Sequence, residues 1–111
     1  MHDRRAGQAV IARMWRGWAP QATADDYQRH YELEVSGHLR SVDGFRGARL
    51  LRLDDGHEVM FTSITFFTSL AAVRAFSGDD YERAVVEPAG RRALGRWDER
   101  VSHHEVAIDL P

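Results

Sequence analysis

Lysine and cysteine are both missing from this 111-residue sequence, and proline occurs only three times. Without cysteine there is no disulfide, no thiolate metal site and no thiol nucleophile. Without lysine, all 15 basic residues are arginine. That uniformity reads first as coding bias, since so many guanidinium groups cannot all contact ligands. Neither sign of charge dominates: the net charge is −2, so nothing electrostatic argues for nucleic acid, whose phosphates need a basic surface. Long apolar runs are lacking too. The apolar stretch near the start is broken by Arg13 and Arg16, and MHDRRAGQ lacks the pattern of a signal peptide. The expectation is a cytoplasmic protein without membrane or nucleic-acid partners, in which residues 1–8 form a disordered or tag-like lead and residues 9–111 a single domain.

What is present is best read outward from EVMFTSITFFTSLAAVRAF, residues 58–76. Its first half has the period of a strand, with Val59, Phe61, Ser63, Thr65 and Phe67 on one face and Met60, Thr62, Ile64 and Phe66 on the other. At Thr68-Ser69 the period changes: Leu70, Val73 and Phe76 recur every third residue, Ser69 is placed to cap a helix and Gly78 to stop it. Upstream, AVIARMWRGW predicts a first strand from about Ala9 to Trp18, with Ile11, Arg13 and Trp15 sharing a face. An arginine on an otherwise apolar face has three readings: it reaches the sheet edge, pairs with a carboxylate, or points into a cavity.

After Ala19-Pro20-Gln21, Thr23 and Asp26 have the spacing of a capping box. A helix is expected over Ala24 to Ser41, with a stripe of Tyr27, Tyr31, Val35 and Leu39 and a weak point at Gly37. His30, Glu34 and His38 lie four apart on the neighbouring face. That spacing suits a metal in principle, but a solvated polar face explains it as well, and no metal site is assigned. FRGARLLRLDD predicts a second strand with Phe45, Gly47, Arg49, Leu51 and Leu53 on one face, joined to the central strand by a hairpin at Asp55-Gly56. The irregular segment that follows the second helix has Tyr81, Val85, Val86 and Leu94 as anchors, with Pro88 opening a helical turn. A last strand is expected from Trp97 to about Ile108, on which His103 and His104 face opposite ways and cannot share a metal.

The resulting order, β-α-β-β-α-β, predicts an α+β ferredoxin-like sandwich with strands one and three central and both helices on one face. The apolar residues expected on the other face, read as Ile11, Trp15, Leu51 and Phe61 or Phe66, predict a homodimer that closes sheet on sheet into a barrel.

ARMWRGW, EVMFTSITFFTSLAAVRAFSGDDYERAVV and WDERVSHHEV resemble the antibiotic biosynthesis monooxygenase superfamily of dimeric α+β-barrel proteins, over about Val10 to Val106. The resemblance implies a small-molecule pocket between helices and sheet, for which Arg13, Trp15, Phe67, Tyr81, Trp97 and His103 are the candidates. Its implied activity is a monooxygenase acting on an aromatic or polyketide-like compound without cofactor. In that reading His103 is the base, Arg13 the anion clamp, and Trp15, Phe67, Tyr81 and Trp97 the ligand-binding lining. The family's haem-degrading branch is an alternative; its pocket tryptophan aligns with Phe67 and its iron-ligating histidine with Val85, which cannot ligate iron. A non-catalytic small-molecule binder is the third reading. No serine-histidine-acid spacing, nucleotide loop or paired-carboxylate signature is present, so the enzyme reading rests on the resemblance.

Overall fold

Residues 10–111 are described by a computed structural model. Strand β1 (Ile11–Pro20) leads through a 3₁₀ turn (Gln21–Thr23) into a long helical segment: α1 (Ala24–His30), a π-helical turn (Tyr31–Val35) and α2 (Ser36–Arg40). Then come β2 (Phe45–Asp55), β3 (Glu58–Phe67), α3 (Leu70–Ser77), α4 (Pro88–Ala93) and two short strands, β4 (Arg96–Trp97) and β5 (Ser102–Glu105). The sheet order is β2-β3-β1, with β4 and β5 following one another along the far side of β1, antiparallel throughout. This is the ferredoxin-like arrangement, with β1 and β3 at its centre.

Register decides which side chains meet the helices. Ile11, Arg13, Trp15, Gly17 and Ala19 on β1 pair with Phe67, Thr65, Ser63, Phe61 and Val59 on β3. Because the side-chain period of a strand is two, all of these project to the helix-covered face. Their alternates, including Met14, Trp18, Met60, Ile64 and Phe66, project to the opposite face. Two clusters fill the covered side. One gathers Ala19, Tyr27, Val59, Phe61 and Leu94, the other Leu39, Phe67, Ala72 and Val73. Fully buried side chains such as Phe61 and Phe67 each contribute about 1.5–3 kcal/mol.

The hand-over from β3 to α3 follows the sequence: Ser69 Oγ accepts from the Ala72 backbone N–H at 3.1 Å, and Gly78 ends the helix at φ 87°. Five details differ from the sequence reading. Arg46 is an extra residue between the pairs Phe45–Phe67 and Gly47–Phe66. The bulge turns Phe45 into the core beside Phe67, at 6.0 Å between rings, while Leu51 and Leu53 stay on the opposite face. The hairpin loop is Gly56-His57, one residue later than expected, with Gly56 at φ 68°. Thr23 does not cap α1; its hydroxyl donates to the Ala93 carbonyl at 2.7 Å and ties α4 to the start of the helix. The long helix is interrupted at Tyr31–Val35, upstream of Gly37. The last strand is broken between Trp97 and Ser102, because the Ala84 N–H takes the Glu99 carbonyl and the Val101 N–H takes the Glu82 carbonyl.

The uncovered sheet face also differs in membership. Ile11, Trp15 and Phe61 lie under the helices, and the open face is carried by Met14, Leu51, Leu53, Met60, Ile64 and Phe66. Leu51 and Leu53 are 49% and 57% exposed. The expected lead at residues 1–8 lies outside the described residues. Among the described residues, no helix is long and apolar enough to cross a membrane.

Candidate functional site

Between the long helical segment and the covered face of the sheet lies a cleft of two chambers. The outer chamber, about 600 Å³, opens beside β2, with Tyr31, Leu39, Phe45, Leu50 and Phe61 as its apolar wall and Gln28, Glu32, Arg40 and Arg52 toward its rim. The inner one, about 50 Å³, lies deeper along β1 and is bounded by Arg13, Trp15, Ser63, Thr65, Phe76 and Val85 among others. Tyr31 and Leu39 belong to both and form the shared wall. An aromatic wall with a few convergent polar groups is the usual make-up of a small-molecule site.

Arg13 is 5% exposed and projects from the centre of β1 onto the covered face. Its Nη1 donates to the Tyr81 carbonyl and lies 3.0 Å from His103 Nε2; its Nη2 donates to the Arg83 carbonyl at 3.1 Å. The ring of Phe76 lies 5.7 Å from its guanidinium carbon. No acidic side chain among the described residues pairs with it. Burial without a counter-ion pulls its pKa down to about 10, which still leaves it charged at neutral pH. Guanidinium only donates, so the Nε2 of His103 must be the acceptor and the imidazole proton sits on Nδ1. Burial first, and then the charge of Arg13, lower the His103 pKa below its ordinary value, so the ring is neutral at pH 7.

The sequence placed Arg13 and His103 on separate strands, and the register sets them directly opposite each other on β1 and β5. Tyr81 joins them through its carbonyl and through its ring, which meets the His103 ring edge-on at 5.2 Å. Trp15 bounds the inner chamber, with its indole N–H donating to the Asp98 carbonyl at 2.8 Å. Gly17 leaves the space its indole occupies, since a Cβ there would lie 2.5 Å from Trp15 Cη2. Phe67 is fully buried against Leu39 and Val73, and Trp97 packs on the Ala19 cluster. Neither of these two borders the cleft, and nor does Tyr81.

Several residues that border the cleft were not singled out as site residues in the sequence. Tyr27 and Tyr31 read there as an apolar stripe, yet the Tyr31 hydroxyl meets Ser63 Oγ at 2.8 Å across the cleft. Burial raises the pKa of both tyrosines, that of Tyr31 being partly offset by its bond to Ser63. Ser63 and Thr65 carried a usable signal: two hydroxyls on the face of β3 that is otherwise Val59, Phe61 and Phe67.

His30, Glu34 and His38 do not converge. His30 Nδ1 faces Glu34 Oε2 at 3.2 Å, but the extra residue accommodated by the π turn rotates His38 onto the ring of Phe76, 4.7 Å away. Among the described residues no cluster of three histidine or acidic side chains is placed to hold a metal.

No protein-family profile matches the sequence, and no curated protein matches it. The likeness is structural. SnoaB, a cofactor-independent oxygenase from Streptomyces nogalater, superposes with a TM-score of 0.65 at 15% identity, over 93% of this chain and 98% of that one. The monooxygenase ActVA-Orf6 of Streptomyces coelicolor, in complex with nanaomycin D, gives a TM-score of 0.64 at 21% identity over 96% of each chain. A single-residue variant of MhuD, with two manganese protoporphyrin IX molecules bound per active site, gives 0.63 at 19% identity over 92% of this chain and 98% of that one. The chain therefore shares the fold of the antibiotic biosynthesis monooxygenases over nearly all its length.

Proposed function

We propose that the cleft binds a small aromatic anion and that the protein is a monooxygenase working on it without a cofactor. The observation that carries this reading is Arg13, a buried cation with no acidic partner among the described residues, at the floor of an aromatic cleft. A buried charge without a counter-ion costs several kcal/mol, and an anionic ligand relieves that cost. SnoaB and ActVA-Orf6, an oxygenase and a monooxygenase on the same fold, point the reading toward oxygen chemistry.

The reaction needs no external reductant. An ionised anthrone, or a phenol through its keto form, supplies the electrons: the ring carbon that is CH₂ in the keto form and O₂ become a ring C=O and water, with one oxygen atom in each product. The chain's part is to hold the substrate as its anion beside Arg13 and to exclude bulk water from the slot. His103, the base expected from the sequence, spends its Nε2 lone pair on Arg13. In this reading its first part is to fix the guanidinium, and it takes a proton only by giving up that bond. Trp15 acts in the lining and Tyr81 holds Arg13 through its carbonyl, while Phe67 and Trp97 support the fold. Incubation of 1,8-dihydroxyanthrone with the protein under ¹⁸O₂ tests the reading: one labelled oxygen in the new carbonyl is expected, and a product no faster than the enzyme-free reaction overturns it.

The tie between His103 and Arg13 also favours a second reading, a non-catalytic binder, since it occupies the Nε2 lone pair of the base expected from the sequence. Binding without turnover is its signature. The haem reading has less support: among the described residues no histidine borders the cleft, and Val85 stands where the resemblance puts the iron ligand.

We further propose that two copies pair through the open sheet face, because Met14, Leu51, Leu53, Met60, Ile64 and Phe66 together make an apolar surface of the kind that marks an interface.

A further inference from the structure

We infer that the ligand of this cleft is an aromatic compound ending in two coplanar oxygens that share one negative charge, bound edge-on by the Nε–Nη2 side of Arg13. The inference rests on the cleft being the substrate site. It starts from a count of donors. A guanidinium has five N–H groups in a rigid plane: two on Nη1, two on Nη2 and one on Nε. Nη1 meets both the Tyr81 carbonyl and His103 Nε2, which uses both of its hydrogens; Nη2 uses one on the Arg83 carbonyl. Among the described residues, the N–H on Nε and one on Nη2 have no acceptor.

With the Arg83 carbonyl on the Nη2 hydrogen that faces Nη1, those two belong to one edge of the fork, the edge that receives a carboxylate in bidentate fashion. The three existing contacts all come from the strand β5 and the segment before α4, so they clamp the plane before a ligand arrives. The rotamer entropy of a long side chain is already spent, which is the condition for tight recognition.

The dimensions of the cleft then sort the ligand. The inner chamber, about 50 Å³, has room for a few waters or for a carboxylate, and too little for a ring. The outer chamber, about 600 Å³ and walled by Tyr31, Phe45 and Phe61, has room for one or two fused rings. Since Tyr31 and Leu39 wall both, a ligand spanning them lays its anionic end on Arg13 and its ring beside Tyr31. Two chemistries present such an oxygen pair: a carboxylate, and the enolate of a 1,3-dicarbonyl. Placing the charge of an enolate there would also stabilise the anion from which oxygen takes its electrons.

Calorimetric titration of the full-length protein with 2-naphthoate, with its neutral isostere 2-naphthamide and with 2-acetylindane-1,3-dione at pH 7.5 decides between them. The expectation is that at least one of the two anions binds roughly 10- to 100-fold more tightly than the amide, as hydrogen bonds to charged groups imply. In Arg13→Gln that preference should disappear. Preference for naphthoate alone assigns a carboxylate ligand, and preference for the triketone alone an enolate. If the amide binds as tightly as both anions, the inference fails while the aromatic cleft stands. If none of the three binds, the cleft reading fails and takes the inference with it. Should Arg13→Gln not fold, the comparison of anions with amide on the wild type still decides.

Discussion

Arg13 and His103 form a pair in which each limits what the other can do. Burial and the charge of Arg13 lower the histidine's pKa, and the histidine's lone pair anchors the arginine. A folded-state pKa below the ordinary 6.5 means that the unfolded chain binds the proton first. The stability contributed by neutral His103 is therefore fully present above pH 6.5 and is lost as the pH falls from there through the folded value. In thermal melts the wild type should lose part of its advantage over His103→Asn across that interval, and a gap independent of pH would contradict the assignment. Gly17 is a second position where one side chain sets the site. A methyl group added there meets the Trp15 indole, so Gly17→Ala should cost about 1–3 kcal/mol through overpacking, read as a lowered denaturation midpoint. Such residue-level roles were only half legible. A charged residue on the apolar face of β1 is visible in the sequence, but its partners at Tyr81 and Arg83 are backbone carbonyls, which any residue supplies.

At the scale of elements, the parts set by local chemistry could be read and those set by pairing across the sheet could not. The change of period at Thr68-Ser69, the cap at Ser69 and the stop at Gly78 are all local, and each is found where the residues put it. The bulge at Arg46 is not local. It exists because β2 must keep Phe45 inward beside Phe67 and still pair Leu50 with Ser63, and one extra residue reverses the faces between those two points. The π turn is of the same kind. Regular α-helical periodicity fits Tyr27, Tyr31, Val35 and Leu39, and nothing in it announces five residues of wider winding. That turn lets Tyr31 reach Ser63 while Leu39 still packs on Phe67. Deleting the exposed Leu33 should restore α-helical winding at modest cost to the melting temperature and weaken naphthoate binding at least about tenfold, a loss of one or two well-placed contacts. Unchanged affinity in a folded deletion variant would separate the π turn from the cleft.

For the whole molecule, the open face of the sheet carries the argument. Helices cover one side of the sheet, and the other shows half-buried or exposed apolar side chains on β1, β2 and β3. Native mass spectrometry at about 10 μM should give twice the 12.7 kDa chain mass, and the double substitution Leu51→Glu with Leu53→Glu should return single chains through like-charge repulsion across a two-fold axis. A wild-type monomer would mean that the face is covered in some other way. The dimer and the cleft are independent claims, since every group that fixes Arg13 comes from its own chain.

The central claim is that Arg13 makes the cleft a place where an aromatic anion is held and reacts with oxygen. Oxygen uptake with 1,8-dihydroxyanthrone, measured for the wild type and for Arg13→Gln beside an enzyme-free control, tests it most directly. The wild type should consume oxygen well above the control, and Arg13→Gln should lose at least about 100-fold in kcat/KM, as for removal of a main electrostatic stabiliser. Uptake by the wild type no faster than the control, or equal uptake by a folded Arg13→Gln, would contradict the account.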